Sequence, residues 1–284
     1  MFGVSRQVYY RRIKSVKKRK ETAHKVIELV QGVRNKMPKI GTRKLHFLLQ
    51  NDLEKIGVGR DLLFRILRAN HMLVKAKRQY HITTNSHHRF RKHKNLIEHT
   101  TPERPEQIWV SDITYVGNRK NPMYLALVTD AYSKKIVGYD VSNSLDVSGS
   151  KRALRKAIKA RVYKSNEIIH HSDRGLQYCS NEYQSILTKS KIKCSMTESY
   201  DPYANAVAER INGILKSEFI GDTNSINLQL MKELVDDSVR IYNEIRPHHS
   251  CYMNTPNQMH KQSKIKIRTY KTKNTSNDVI AGIE

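Results

Sequence analysis

Cysteine is scarce in this sequence: Cys179, Cys194 and Cys251 are widely spaced, and no CxxC pair occurs. An odd number in that arrangement argues against a disulfide framework and against a zinc ribbon, leaving three ordinary reduced thiols. Long apolar runs are missing as well. No stretch approaches the roughly 18–20 residues that would span a bilayer. The first residues, MFGVSRQVYYRRIKSVKKRK, lack the apolar segment and small-residue cleavage site of a signal peptide. A cytoplasmic location with no membrane partner is therefore expected. Negative charge is in the shortest supply. The 284 residues carry 26 Asp and Glu against 52 Lys and Arg, a formal net charge of +26.

Such an imbalance points to a polyanionic partner, because Lys and Arg that neutralise phosphates release condensed counterions. The charge is unevenly spread. Residues 1–104 hold 26 basic against 7 acidic side chains, and residues 105–284 hold 26 against 19. Charge alone does not separate DNA from RNA or from an anionic membrane. A hydrophobic content of 38% suffices for a core, and the length suits two modest domains.

Residues 1–80 read as helical. Val26, Leu29, Val30 and Val33 recur at helical spacing in 21–36, and Leu45, Leu48 and Leu49 do so in 42–50, where Thr42 is a candidate cap. In 60–73 the apolar face is Leu62, Leu63, Ile66 and Leu67, and the basic face is Arg60, Arg65 and Arg68. Three short helices with tight joints fit a helix-turn-helix DNA-binding region, with those arginines as candidate DNA contacts. A generic three-helix bundle with solvated arginines has the same pattern. Ser5 is a candidate cap for a short separate helix carrying Arg6, Tyr9 and Tyr10. Residues 81–106 have no periodicity and read as a basic linker. Its His81, His87, His88 and His93 have no cysteine partners for a metal site.

From residue 107 the pattern changes to strands. QIWVSDITYV, MYLALVTDAYS and KKIVGYDVSNS predict an antiparallel meander. A basic amphipathic helix (146–163), a buried strand (NEIIHHSD), a helix, a short strand and two further helices follow. The expected core, 107–260, is an α/β mixed sheet flanked by helices. The basic stretch 261–284 reads as a poorly ordered tail.

Three carboxylates draw attention. Asp112 lies among apolar neighbours in WVSDITYV, where an uncompensated charge would cost roughly 3–5 kcal/mol. Asp173 ends the buried strand IIHHSD, and Glu209 lies on the helix ANAVAERINGILKSEF. If the two strands are neighbours, the aspartates are close enough to share a metal. Hard oxygen ligands suit magnesium or manganese, and a pair of such ions serves phosphoryl transfer. Lys216, seven residues after Glu209, returns to nearly the same side of an α-helix, facing phosphate or base. Alone, the Glu209–Lys216 spacing is equally the spacing of two groups on a solvated face.

The segments WVSDITY, HSDRGLQY and NAVAERINGILKSE, with 35 residues between Asp173 and Glu209, resemble the catalytic core of Asp-Asp-Glu transposases and retroviral integrases. YNEIRPH and NTPNQM resemble the C-terminal signature of the second-frame (OrfB) protein of a bacterial insertion-sequence family, and IGTRKL with GVGRDLLFRILRANHML resembles its helix-turn-helix region. The resemblance covers roughly residues 3–260. It implies a ribonuclease-H-like fold and a transposase that cleaves and joins DNA strands at element ends. Asp112, Asp173 and Glu209 would be both catalytic residues and ligands of two Mg²⁺ ions, with Mn²⁺ as a substitute. It also implies double-stranded DNA (terminal inverted repeats and target), a homo-oligomer assembled on DNA, and an upstream first-frame (OrfA) segment as partners. Ala204 stands where relatives usually carry an acidic residue, which bears on local loop contacts. The competing readings are a non-catalytic DNA-binding regulator, a retroviral-type integrase and an RNA-cutting ribonuclease H. The integrase reading lacks a zinc module, since no cysteine precedes Cys179.

Other residues are less telling. Asp130 reads as a turn cap and Trp109 as a core anchor. Ordinary packing is favoured for His170 and His171. For Arg174 and Gln177, DNA contact and solvation balance. Arg246 and His248 fall in the signature with no chemistry implied by their spacing.

Overall fold

The computed structural model describes residues 5–74, 93–98, 100–117, 122–197, 206–221, 226–262 and 265. A five-stranded sheet organises it, in the order β3-β2-β1-β4-β5. Strands β1 (Ile108–Gly117), β2 (Pro122–Asp130) and β3 (Ile136–Ser142) form the expected antiparallel meander. β4 (Ile169–Ser172) and β5 (Lys193–Met196) add to its other edge in parallel, after crossovers through helices. This is a ribonuclease-H-like mixed sheet.

Helix α5 (Val147–Lys159) covers one face, capped by Asp146, which accepts from the Ser148 N–H at 3.1 Å. It lies so close to β3 that a Cβ on Gly138 would stand 2.1 Å from the Ala153 carbonyl, so only glycine fits there. α6 (Leu176–Cys179) and α7 (Asn181–Lys189) complete that face with Tyr178, Tyr183 and Leu187 packed around Trp109. Trp109 is fully buried, as a core anchor should be.

The other face meets α8 (Ala206–Ile214), a π-helical segment (Leu215–Ile220) that continues it, and α9 (Leu228–Glu244). The segment ends at Gly221, whose positive φ of 63° a glycine tolerates and whose N–H donates to the Lys216 carbonyl at 2.9 Å. A short α10 (Pro256–His260), with a capping box formed by Thr255 and Gln258, closes the chain against the β2–β3 turn.

The N-terminal region holds α1 (Arg6–Arg34), α2 (Thr42–Leu48), α3 (Gln50–Lys55) and α4 (Arg60–Ala69). Val26, Val30, Leu45, Leu53, Leu63 and Leu67 share one apolar cluster with Leu125, Leu127, Leu215 and Val235 of the sheet and its helices. Two local expectations change. Ser5 does cap a helix, through a 3.4 Å bond from the Val8 N–H, but that helix runs unbroken to Arg34. No glycine or proline interrupts residues 6–31, so nothing ends it earlier. Thr42 is the first residue of α2 and is buried; Gly41 occupies the cap position without a side-chain bond. Half of the 81–106 linker and most of the 261–284 tail lie outside the described residues, as do Ala204 and Asn205. No helix among the described residues is long and apolar enough to cross a membrane.

Candidate active site

Strand alternation decides which face each side chain enters. On β1, Trp109 and Ile113 point to the α5 face, while Asp112, Thr114 and Val116 point to the α8 and α9 face. β1 and β4 run in parallel with Ser111 opposite Ser172. The next residues in that register are Asp112 and Asp173. Asp112 is inside β1 and Asp173 is the first residue beyond β4, so the two leave neighbouring strands whose backbones are spaced by about 4.8 Å.

Asp112 keeps only partial solvent contact. Its Oδ1 accepts from the Ile113 N–H at 2.8 Å, and its Oδ2 accepts from Asn212 Nδ2 at 2.7 Å. Burial raises its pKa to about 7, and the negative charges of Asp173 and Glu209 add to the rise, against the two hydrogen bonds. Glu209 sits on the first turn and a half of α8, exposed; burial and the charge of Asp173 raise its carboxyl as well. The three carboxylates therefore feel one another. They do not close into a ligand cluster: among the described residues no three His, Cys, Asp or Glu side chains are grouped to hold an ion. Mutual repulsion opposes such closure.

Lys216 follows α8 into the π-helical segment. Its ammonium donates to Thr114 Oγ1 at 3.4 Å; burial lowers its pKa, and the charge of Asp112 partly offsets this. It thus reaches the same floor as Asp112. Arg174 is half-buried next to Asp173, and Gln177 donates to the Leu145 carbonyl at 2.5 Å, fastening the loop after β4. Arg60, Arg65 and Arg68 are exposed along α4, and Arg60 Nε donates to Asp61 Oδ1 at 3.0 Å.

Both β4 histidines are fully buried. His170 Nε2 lies 2.7 Å from Ser111 Oγ and 2.9 Å from Tyr183 OH, and His171 Nδ1 lies 2.9 Å from Ser195 Oγ. Burial drives His170 down to about 3 and His171 to about 4, so both are neutral near pH 7. They brace β4, which ends one residue before Asp173. Asp130 caps the β2–β3 turn, accepting from Ser133 N–H and Oγ, each at 2.7 Å. Asn212 and Thr114 are additions that spacing did not single out. Asn212 lies three residues after Glu209, hence on the same side of α8, and that was the available signal.

Integrase core domain models match residues 102–202 and residues 190–256. An insertion element IS600 31 kDa protein of Shigella sonnei is 34% identical over 255 residues, 87% of this chain and 92% of that one. The transposase InsF for insertion sequence IS3fB of Escherichia coli K12 is 31% identical over 199 residues, 69% of each chain. The chain belongs to the insertion-sequence transposases with an integrase core. A solved simian T-cell lymphotropic virus intasome, in complex with a PP2A regulatory subunit, matches 84% of the transposase at 21% identity and a TM-score of 0.49. The HTLV-2 integrase catalytic core domain in complex with magnesium matches 55% of it at 20% identity and a TM-score of 0.43.

Proposed function

We propose that the chain cuts DNA at the ends of an insertion sequence and joins the freed 3′ ends to a second phosphodiester, using Asp112, Asp173 and Glu209 as ligands for two Mg²⁺ ions. One observation carries this reading. Asp112 follows Ser111 on β1 and Asp173 follows Ser172, the last residue of the adjacent parallel strand β4, and Ser111 and Ser172 pair, so the two aspartates leave one register position on the side where α8 carries Glu209. The donor set fits a hard divalent ion, being all carboxylate oxygen; burial first, and then the charges of Asp173 and Glu209, raise the Asp112 carboxyl, and a bound cation would offset both. Mn²⁺ is expected to substitute. When bound, such ions ionise an attacking water or hydroxyl and stabilise the leaving oxygen.

The chain's own residues have distinct tasks in this reading. Asn212 and the Ile113 N–H fix the Asp112 carboxylate in orientation. Lys216, beside Thr114, offers a cation to the phosphate, and Arg174 extends the positive edge next to Asp173. Buried His170 and His171, both neutral, keep β4 rigid without adding charge. Arg60, Arg65 and Arg68 contact the duplex from the helix-turn-helix region, 1–80, which the 81–106 linker joins to the 107–260 core. Assembly on DNA as a homo-oligomer, with an upstream first-frame (OrfA) segment adding end-binding affinity, completes the proposal.

The test is Mg²⁺-dependent nicking and joining of DNA bearing the element's terminal repeats. Asp112→Asn, Asp173→Asn and Glu209→Gln should abolish it with end binding largely kept; undiminished joining by Glu209→Gln overturns the site assignment. The exposure of Glu209 and the open carboxylate arrangement favour a second reading, a DNA-binding regulator without turnover. A wild-type chain that binds end DNA yet takes up no Mn²⁺ would select it.

A further inference from the structure

Beyond Lys216, the π-helical segment has no part in the chemistry above, nor has the YNEIRPH signature, and a single carboxylate joins the two. Glu218 Oε2 accepts from Arg246 Nε at 2.8 Å; Oε1 accepts from Arg246 Nη2 at 2.7 Å and from Lys44 Nζ at 3.0 Å. The Glu218 carbonyl also accepts from the Lys39 N–H at 3.3 Å. The side chains are largely withdrawn from water: Glu218 is 14% exposed, Arg246 3% and Lys44 19%. Burial pushes the Glu218 carboxyl up, and the bonds and charges of Arg246 and Lys44 outweigh it, so the group stays ionised.

These residues come from three separate pieces of the chain. Arg246 follows α9, which is fastened to the sheet: Asn243 exchanges two hydrogen bonds with the backbone of Ile136, and Tyr242 OH donates to the Lys134 carbonyl at 2.9 Å. Glu218 rides on the helical rod that also carries Glu209 and Lys216. Lys44 belongs to α2 of the N-terminal helices. A bidentate Arg–carboxylate pair fixes orientation as well as distance. The lever is sensitive. A carboxylate about 5–6 Å from a helix axis moves ~1 Å when the rod rotates by ~10°, whereas metal ligation tolerates only about ±0.2 Å.

We propose that Glu218 is a positioning residue that sets the rotation of α8, and hence of Glu209 and Lys216, and that Lys44 makes this setting depend on the seating of the N-terminal helices. The proposal rests on the reading of Glu209 as a metal ligand. Arg246 anchors the carboxylate to the sheet, and Lys44 ties the helices that carry the DNA-facing arginines to the same atom.

The test compares full-length wild type with Lys44→Met, Lys44→Arg and Glu218→Gln. Four quantities are measured: single-turnover joining, end-DNA affinity, Mn²⁺ affinity by calorimetry, and hydrogen exchange across 206–214. Lys44→Met should keep end-DNA affinity within about twofold while joining falls about tenfold or more, a loss confined to the reaction step. Its Mn²⁺ affinity should weaken several-fold, and exchange should quicken in 206–214 while β1 and β2 stay protected. Lys44→Arg should restore all of these, and Glu218→Gln should exceed Lys44→Met. Wild-type joining and Mn²⁺ affinity in Lys44→Met would overturn the proposal, as would faster exchange spread evenly over the sheet. Should Glu218→Gln fail to fold, the Lys44 pair decides. A wild-type chain that binds Mn²⁺ but joins nothing would sink the strand-transfer reading alone, and the exchange and calorimetry would still judge the lever.

Discussion

Asp112→Asn removes a charge while keeping the shape of the side chain, and its effect on stability follows from the surroundings of that carboxyl. In the folded chain the Asp112 pKa rises from an ordinary 3.8 to about 7, through burial first and then through Asp173 and Glu209. A carboxyl with a raised folded pKa holds its proton in the folded state while the unfolded chain has lost it. Below pH 3.8 both states are protonated; between 3.8 and about 7 stability falls as pH rises; above that both states are ionised and the loss is complete. About three pKa units correspond to ~4 kcal/mol at most, and water reaching the partly exposed side chain screens this to about 2–4 kcal/mol. In urea unfolding with a chelator present, the wild type should lose about that much more stability than Asp112→Asn between pH 4 and pH 8. The asparagine gives up one acceptor, to Ile113 or Asn212, but this cost of about 1 kcal/mol is independent of pH. Parallel pH profiles for the two proteins would refute the claim that Asp112 is a charged group held against its preference.

Other outcomes follow from the same structure. Asp173→Asn and Glu209→Gln should each slow joining by ~100-fold or more, about 3 kcal/mol of transition-state stabilisation, with little change in end binding; a filter-binding and gel assay pair checks both. Arg11, Lys14 and Lys18 line one side of the exposed first half of α1. Changing all three to Gln should flatten the slope of log affinity for duplex DNA against log salt by up to about 2.7, at unchanged thermal stability. Asn243→Ala removes both bonds to Ile136 and should cost about 1–3 kcal/mol in urea unfolding. Tyr183→Phe, which deprives His170 of one of its partners, should cost about 1 kcal/mol by the same measurement.

The sheet was readable because alternation and β-branched residues over 107–144 leave little choice, and because each strand ends in polar residues that turn the chain. The place of Asp112 was readable for the same reason: a charge inside WVSDITYV is out of place in a strand, and the structure half-buries it within β1. Contacts between distant segments were not readable. Lys44 and Glu218 lie 174 positions apart, and nothing in either neighbourhood marks them as partners. The phase of Lys216 was only half accessible, since the α-helical spacing from Glu209 holds to Ile214 and the wider π-turns take over from Leu215. The long α1 was divided in the sequence reading because its first half lacks a buried stripe. It is helical without one, with Val8, Tyr9, Tyr10, Ile13 and Val16 all exposed.

Convergence of three acidic groups on divalent ions is most directly tested by anomalous diffraction at the manganese edge, from crystals of the chain with Mn²⁺ and end DNA. Peaks within about 2.0–2.3 Å of oxygens from Asp112, Asp173 and Glu209 are the expected result. Manganese bound elsewhere, or bound by the aspartates with Glu209 still directed into solvent, would contradict it.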